Sequence, residues 1–270
     1  MPYDHSRKIG NQGDVVKHSV LHNCVSHLLS CSPKEKVFRY AESHCGRPIY
    51  VLPDGKGSEW TRGIGLISSK TNEARTACAR IDDYFRSNLS SHMKVGQQYF
   101  GSSNIVFRCL RAASRDFCFD LFETDVHAYD DLTRFYTPWL QSVHLNNTDG
   151  YNGVENLDSA SLILIDPPSL ETEKIANCIA ILKEKKIPYI CWTPRNSSSN
   201  GNRMESQLHR NFGERDDLGH QIEVSWTAPT GAAQNTFGCR LTVSNDLNIV
   251  AAETVQQLTN LLAGDGWNMI

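Results

Sequence analysis

Apolar positions in this chain switch repeatedly between helical and strand spacing. Val16, Val20, Leu21, Val25, Leu28 and Leu29 fall on one helical face, which predicts a helix over 14–29 capped by Asp14 and ended by Ser32-Pro33. Residues 36–42 alternate and read as a first strand, which runs into the turn Ser43-His44-Cys45-Gly46-Arg47. Further strands are predicted over 117–123, 142–145, 161–165 and 188–192, with late antiparallel strands over 221–226 and 240–244. Helices are predicted over 105–113, 128–136, 172–184 and 252–262. The alternation breaks between Tyr50 and Gln98, where a loop at 53–57 and helices over 58–67 and 73–88 predict a helical subdomain inserted after the first strand. The polar run 196–202 predicts a mobile loop.

Strands alternating with helices define an α/β class with a mainly parallel sheet. A chain of 270 residues suits one domain, 1–270, carrying the insertion 50–98. A net charge of −3 supplies no global attraction for nucleic acid, so any such contact needs a local basic patch. No apolar run reaches the roughly 18 residues that a membrane helix needs. The N-terminus does not read as a signal peptide, and nine cysteines without a CxxC pair point to reduced thiols in the cytoplasm. They predict neither a disulfide framework nor a metal site.

The most informative stretch is Ser161-Leu162-Ile163-Leu164-Ile165-Asp166-Pro167-Pro168-Ser169. Four apolar residues predict a strand buried on both faces, as in a parallel sheet covered by helices. Asp166 closes that strand, and the two prolines force the chain out in an extended turn. Ligands of open α/β sheets bind beyond the carboxyl ends of the strands. A loop without proline N–H groups is rich in acceptors, so an exocyclic amine could donate to Asp166 and to a loop carbonyl such as that of Pro167. Both contacts would turn the amine nitrogen toward an electrophilic methyl group. A rigid turn with a capping Asp accounts for the same residues structurally.

Other candidates recur at predicted strand ends: Ser43 and His44, then Glu123, then Asp149-Gly150. An acid after the second strand is where doubly wound folds grip ribose hydroxyls. Near the N-terminus, His5, Arg7, Lys8 and Lys17 form either a solvated tail or a phosphate-contacting arm. No Gly-x-Gly-x-x-Gly follows the first strand, which argues against a nucleotide-binding dehydrogenase.

Several motifs, taken in order, resemble one family. Gly10-Asn11-Gln12-Gly13-Asp14-Val15-Val16-Lys17-His18 resembles the Gly-Asn-x-x-Asp-Val-x-Lys-His signature of the RlmJ-type adenine-N6 methyltransferases. Ser43-His44 resembles their Thr-His, Tyr99-Phe100-Gly101-Ser102 their Tyr-Pro-Gly-Ser, and Trp192 with Pro194 a later Trp-Tyr-Pro stretch. Glu123, Asp149-Gly150 and Asp166-Pro167-Pro168 complete the series in the family's order.

The resemblance implies a Rossmann-like class I methyltransferase fold using S-adenosylmethionine to modify an adenosine of large-subunit ribosomal RNA. It implies cofactor contacts from His18, His44, Ser102, Glu123, Asp149, Gly150 and Asp166, with Asp166 as the catalytic acceptor. Tyr3, Lys17, Pro167 and Ser169 would face the target. Two positions depart from the family. Ser169 stands where an aromatic residue stacks on the target base, a contact worth roughly 1–3 kcal/mol. Cys45-Gly46-Arg47-Pro48 replaces a turn richer in glycine. The family has also been linked to the use of external DNA, and DNA adenine methylation or nucleic-acid binding without efficient catalysis are the competing expectations.

Overall fold

The computed structural model describes residues 8–54, 58–90, 93–169, 171–196, 219–230 and 233–269. Ten strands and nine α-helices are present among these residues. The strands are β1 Phe38–Glu42, β2 Ile49–Val51, β3 Gln98–Phe100, β4 Phe117–Phe122, β5 Val143–Asn146, β6 Leu162–Ile165, β7 Tyr189–Asn196, β8 His220–Thr230, β9 Ala233–Val243 and β10 Trp267–Met269. The helices are α1 Gln12–Cys31, α2 Ile64–Ser69, α3 Asn72–Thr76, α4 Ala79–Asn88, α5 Ser102–Ala112, α6 Val126–Tyr136, α7 Gly150–Glu155, α8 Thr172–Glu184 and α9 Asn248–Leu262.

Eight strands make one sheet in the order β10-β8-β9-β7-β6-β1-β4-β5. The central strands β7, β6, β1, β4 and β5 are parallel, and β9 lies antiparallel between β7 and β8. This is the Rossmann-like order of class I methyltransferases. From β1 the chain builds outward through β4 to β5, then returns to the other side of β1 at β6. That reversal opens a crevice above the carboxyl ends of β1, β4 and β6.

All four residues of β6 are buried, as a strand covered on both faces requires. One face packs under α1, α5, α6 and α9, and the other under α7 and α8. The late hairpin is longer than its apolar core suggested. β8 and β9 pair over 11 residues each, out to Thr230 and Ala233, because their polar outer ends still find ladder partners beyond the core. Pro194 fits in β7 because β6 has already ended, opposite Cys191, leaving β9 as its one ladder neighbour among the described residues.

α1 departs most from its sequence pattern. Every residue from Gln12 to Val25 is buried, polar and apolar alike, because α1 lies between the sheet, α5, α9 and the inserted helix α4. Its cap is Asn11 rather than Asp14: the Asn11 side chain accepts from the Asp14 amide at 2.9 Å. Asp14 turns back and accepts from the Gly10 amide at 2.8 Å, a reciprocal lock of the capping-box kind. Gly10 has φ +66°, a left-handed conformation that favours glycine.

The segment after β1 is framed by the pairing of β2 with β3, and α2, α3 and α4 lie between them. α4 is tied to α1 through His22 Nε2 and Asp83 Oδ2 at 3.0 Å, and through Asn23, which donates to the Arg80 carbonyl. α5 begins at Ser102, three residues before the apolar pattern, with Gly101 at its cap. The cap is tight: a Cβ on Gly101 would lie 2.1 Å from the Arg47 carbonyl.

Candidate active site

The fold brings together most of the residues expected at the carboxyl edge. Asp166 follows β6 directly, and its carboxylate is reached from α1 by Lys17, whose Nζ lies 2.5 Å from Asp166 Oδ2. The same ammonium stands 3.1 Å from Asp14 Oδ1 and 5.7 Å above the Trp192 ring. Burial works against the charge on Lys17, but the carboxylates of Asp166 and Asp14 override it and hold the ammonium well above its ordinary range. The Gly10–His18 signature therefore has a geometric meaning. It builds a capped, buried helix end that carries one cation to Asp166.

Pro167 is buried and Pro168 is exposed, so the loop leaves the sheet at once. Ser169 is exposed, and its hydroxyl donates to Glu171 at 3.4 Å. His18 is buried, with its Nδ1 2.6 Å from the Tyr99 hydroxyl. Tyr3, His5 and Arg7 lie outside the described residues.

The end of β1 holds a group that sequence reasoning missed. Glu42 is fully buried and accepts hydrogen bonds from the hydroxyls of Ser102 and Tyr40, the latter at 2.9 Å. Burial raises its carboxyl to about 8, against the pull of the two hydroxyls. Ser102, expected to touch a cofactor, spends its hydroxyl on this hidden acid. The available signal was an acid as the last residue of an otherwise apolar strand end, Tyr40-Ala41-Glu42.

Beyond Glu42 the chain turns sharply. The Cys45 amide donates to the Phe122 carbonyl, and the Gly46 amide to Glu123 Oε2 at 2.7 Å. Gly46 has φ +64°, so the turn works with a single glycine. Glu123 Oε1 accepts from the Asp125 amide, also at 2.7 Å. Asp149 caps α7 by accepting from the Tyr151 amide at 2.9 Å, and Lys174 stands 3.5 Å away. Gly150 packs against the turn after β1 so closely that a Cβ would fall 1.4 Å from the Ser43 carbonyl.

His44 sits at the centre of this edge. Its Nδ1 lies 2.8 Å from Ser43 Oγ, and its ring meets Tyr151 edge-on at 4.8 Å. Burial lowers its pKa, against four surrounding carboxylates: Asp166, Glu123, Asp149 and Glu171. Tyr151 itself packs in the core beneath this edge with Ile165, Cys178 and Cys191. A sheet edge so weighted toward acids suits a ligand with positive charge, and S-adenosylmethionine carries a sulfonium and an ammonium. The residues present therefore fit the cofactor that the resemblance implies.

No family model matches the chain. It is 28% identical over 175 residues to Ribosomal RNA large subunit methyltransferase J of Haemophilus influenzae, a match covering 62% of this chain and 59% of that protein. The crystal structure of protein LPL1258 from Legionella pneumophila, described as DUF519, superposes with a TM-score of 0.69 at 21% identity, covering 97% of both chains. No helix among the described residues is long and apolar enough to cross a membrane. The sequence match spans only part of that relative's length, and with the strand order it shows a chain similar to the RlmJ-type protein and built on a Rossmann-like fold.

Proposed function

We propose that this protein transfers a methyl group from S-adenosylmethionine to the exocyclic N6 of an adenosine in large-subunit ribosomal RNA. The observation that carries this reading is the pairing of Asp166 with buried Lys17 at the mouth of a fully buried strand, followed at once by two prolines. Lys17 occupies Oδ2 of Asp166, which leaves Oδ1 and the Pro167 carbonyl as acceptors for the two hydrogens of a flat amine.

S-adenosylmethionine supplies an electrophilic methyl group. His44, Glu123, Asp149 and Gly150 would line the space for it, with Glu42 behind them. The protein's work is then positioning and charge placement rather than strong base chemistry. Asp166 orients the amine and accepts its proton during or after transfer. Lys17 fixes the rotamer of Asp166 and balances its charge until the amine arrives. His18, locked to Tyr99, holds the helix end beside it. The target base must first leave its stack, and Ser169 offers it no aromatic platform. Tyr3 and the basic N-terminal arm are the proposed further contacts to RNA.

The test is incubation of the purified protein with tritiated S-adenosylmethionine and unmodified large-subunit ribosomal RNA, followed by digestion to nucleosides. Label in N6-methyladenosine is expected. Label confined to another nucleoside would overturn the target assignment, and no label in RNA that a known methyltransferase modifies would overturn the activity.

A further inference from the structure

The face of the sheet opposite α1 is thinly covered at its outer edge. The connection from β5 to β6 carries only α7, six residues long. Gly153 of α7 lies on the Phe122 ring, and a Cβ there would fall 2.2 Å from it. That contact covers the carboxyl end of β4 and nothing further down. The earlier residues of β4 that point to the same face are Cys118 and Asp120, two apart on one strand. His144 on β5 is the parallel register partner of Asp120. Three side chains with ligating atoms thus converge on an open patch some way from the candidate active site.

Their geometry is that of a ligand set. His144 Nδ1 lies 3.0 Å from Asp120 Oδ1 and 4.0 Å from Cys118 Sγ, and the three atoms all fall within 4.8 Å of one another. Two ligands two residues apart on one strand, with a third from the adjacent strand, can surround one ion without backbone movement. Ligand type narrows the ion. A thiolate and an imidazole suit zinc and its neighbours in the first transition row, while magnesium and calcium prefer oxygen throughout.

We propose that Cys118, Asp120 and His144 form a binding site for a borderline divalent cation such as zinc, with water in the remaining position. On binding, the Cys118 thiol releases its proton to solvent and His144 exchanges its contact with Asp120 for the metal. One thiolate and one carboxylate then balance the charge of the ion. Burial and Asp120 hold the thiol proton in place, and Arg39, the register partner of Cys118 on β1, works in the opposite direction by favouring the thiolate. Its positive charge also opposes the incoming cation, so Arg39 tunes the affinity downward. Held this way, β5, the edge strand, is clipped to β4. The ends of these two strands carry Glu123 and Asp149, so the clip stiffens the floor of the proposed cofactor site. The proposal is independent of the methyl-transfer reading.

Cobalt titration of the metal-stripped full-length protein tests it. One equivalent of Co²⁺ should produce a near-ultraviolet thiolate-to-cobalt charge-transfer band, and one equivalent of zinc should bleach it. Cys118→Ser should abolish the band, and His144→Ala should weaken cobalt binding by about ten-fold or more. All three side chains are at least partly exposed, so both variants should keep the wild-type melting temperature without metal. Zinc should raise that temperature in the wild type and not in Cys118→Ser. No band at one equivalent, or a band that survives Cys118→Ser, would overturn the site and leave a surface ion pair between Asp120 and His144.

Discussion

Two neighbouring strand ends carry acids that the protein treats in opposite ways. At the end of β6, Asp166 receives an ammonium partner carried in by α1. At the end of β1, one strand over, Glu42 receives the hydroxyls of Tyr40 and Ser102 and the Cys45 thiol, all neutral donors, and is pushed up to about 8 by burial. The difference lies in what each acid can reach. Asp166 borders the crevice, with 17% of its side chain exposed, whereas Glu42 points under the turn that holds Ser43 and His44. In the proposed reaction Asp166 is the acceptor for the target, and Glu42 is a concealed carboxyl that a cationic cofactor would help to ionise.

The largest effect should come from removing the outward-facing acid. Asp166→Ala is expected to lower methyl incorporation by about 10²–10⁴-fold, the range for a positioned proton acceptor, while circular dichroism stays unchanged. Full incorporation by this variant would erase the contrast between the two strand ends. Next is the partner that distinguishes them. Lys17→Met leaves Asp166 and Asp14 without their shared cation, and breaking a buried pair costs about 3–5 kcal/mol. Because Asp166 is partly exposed, denaturant unfolding should report the lower end of that range, and adding Asp14→Asn should recover part of it. A loss no larger than that of a surface lysine would mean that the ammonium is not what holds α1 to β6.

Glu42 gives a pH signature. Its folded pKa of about 8 lies above the ordinary 4.5. Between those values the folded chain keeps a proton that the unfolded chain has released. Its contribution to stability is therefore complete below pH 4.5, declines as pH rises and is gone above pH 8. The slope is at most about 1.4 kcal/mol per pH unit. Glu42→Gln should flatten this decline in urea unfolding between pH 5 and 8, and saturating S-adenosylmethionine should reduce it in the wild type. An unchanged slope in Glu42→Gln would place the titrating group elsewhere. The smallest effect concerns the exposed Ser169. If the missing aromatic weakens RNA binding, Ser169→Tyr should tighten it by about 1 kcal/mol in fluorescence anisotropy, part of what base stacking supplies.

Much of this edge was legible because strand ends announce themselves. Pro167-Pro168 after four apolar residues put Asp166 at the end of a buried strand, where it lies, and Ser43, Glu123 and Asp149 likewise follow the ends of β1, β4 and β5. What could not be read is what depends on distant partners. The apolar spacing of α1 suggested a helix with one buried face, but four neighbours bury its first half entirely, so Asp14, Lys17, His18 and His22 are interior groups with fixed partners. The outer halves of β8 and β9 are too polar to read as strand and form because each supplies the other's ladder, with β7 adding to that of β9 as far as Phe237. Cys118, Asp120 and His144 lack any sequence spacing that suggests a metal, because parallel pairing across 24 residues unites them. Glu42 reads as the last residue of the first strand, but its burial depends on Ser102, 60 residues away, which no local pattern shows.

The division of labour between the two acids is tested most directly by measuring cofactor affinity and single-turnover methyl transfer in Asp166→Asn. Asparagine keeps the shape and one acceptor oxygen but presents an NH₂ and carries no charge. The account predicts nearly unchanged affinity for S-adenosylmethionine by calorimetry, with the rate of transfer to RNA down by at least about 100-fold. A rate that stays within a few-fold of wild type, or a fall explained wholly by weakened cofactor binding, would contradict the role of Asp166 as acceptor of the target amine.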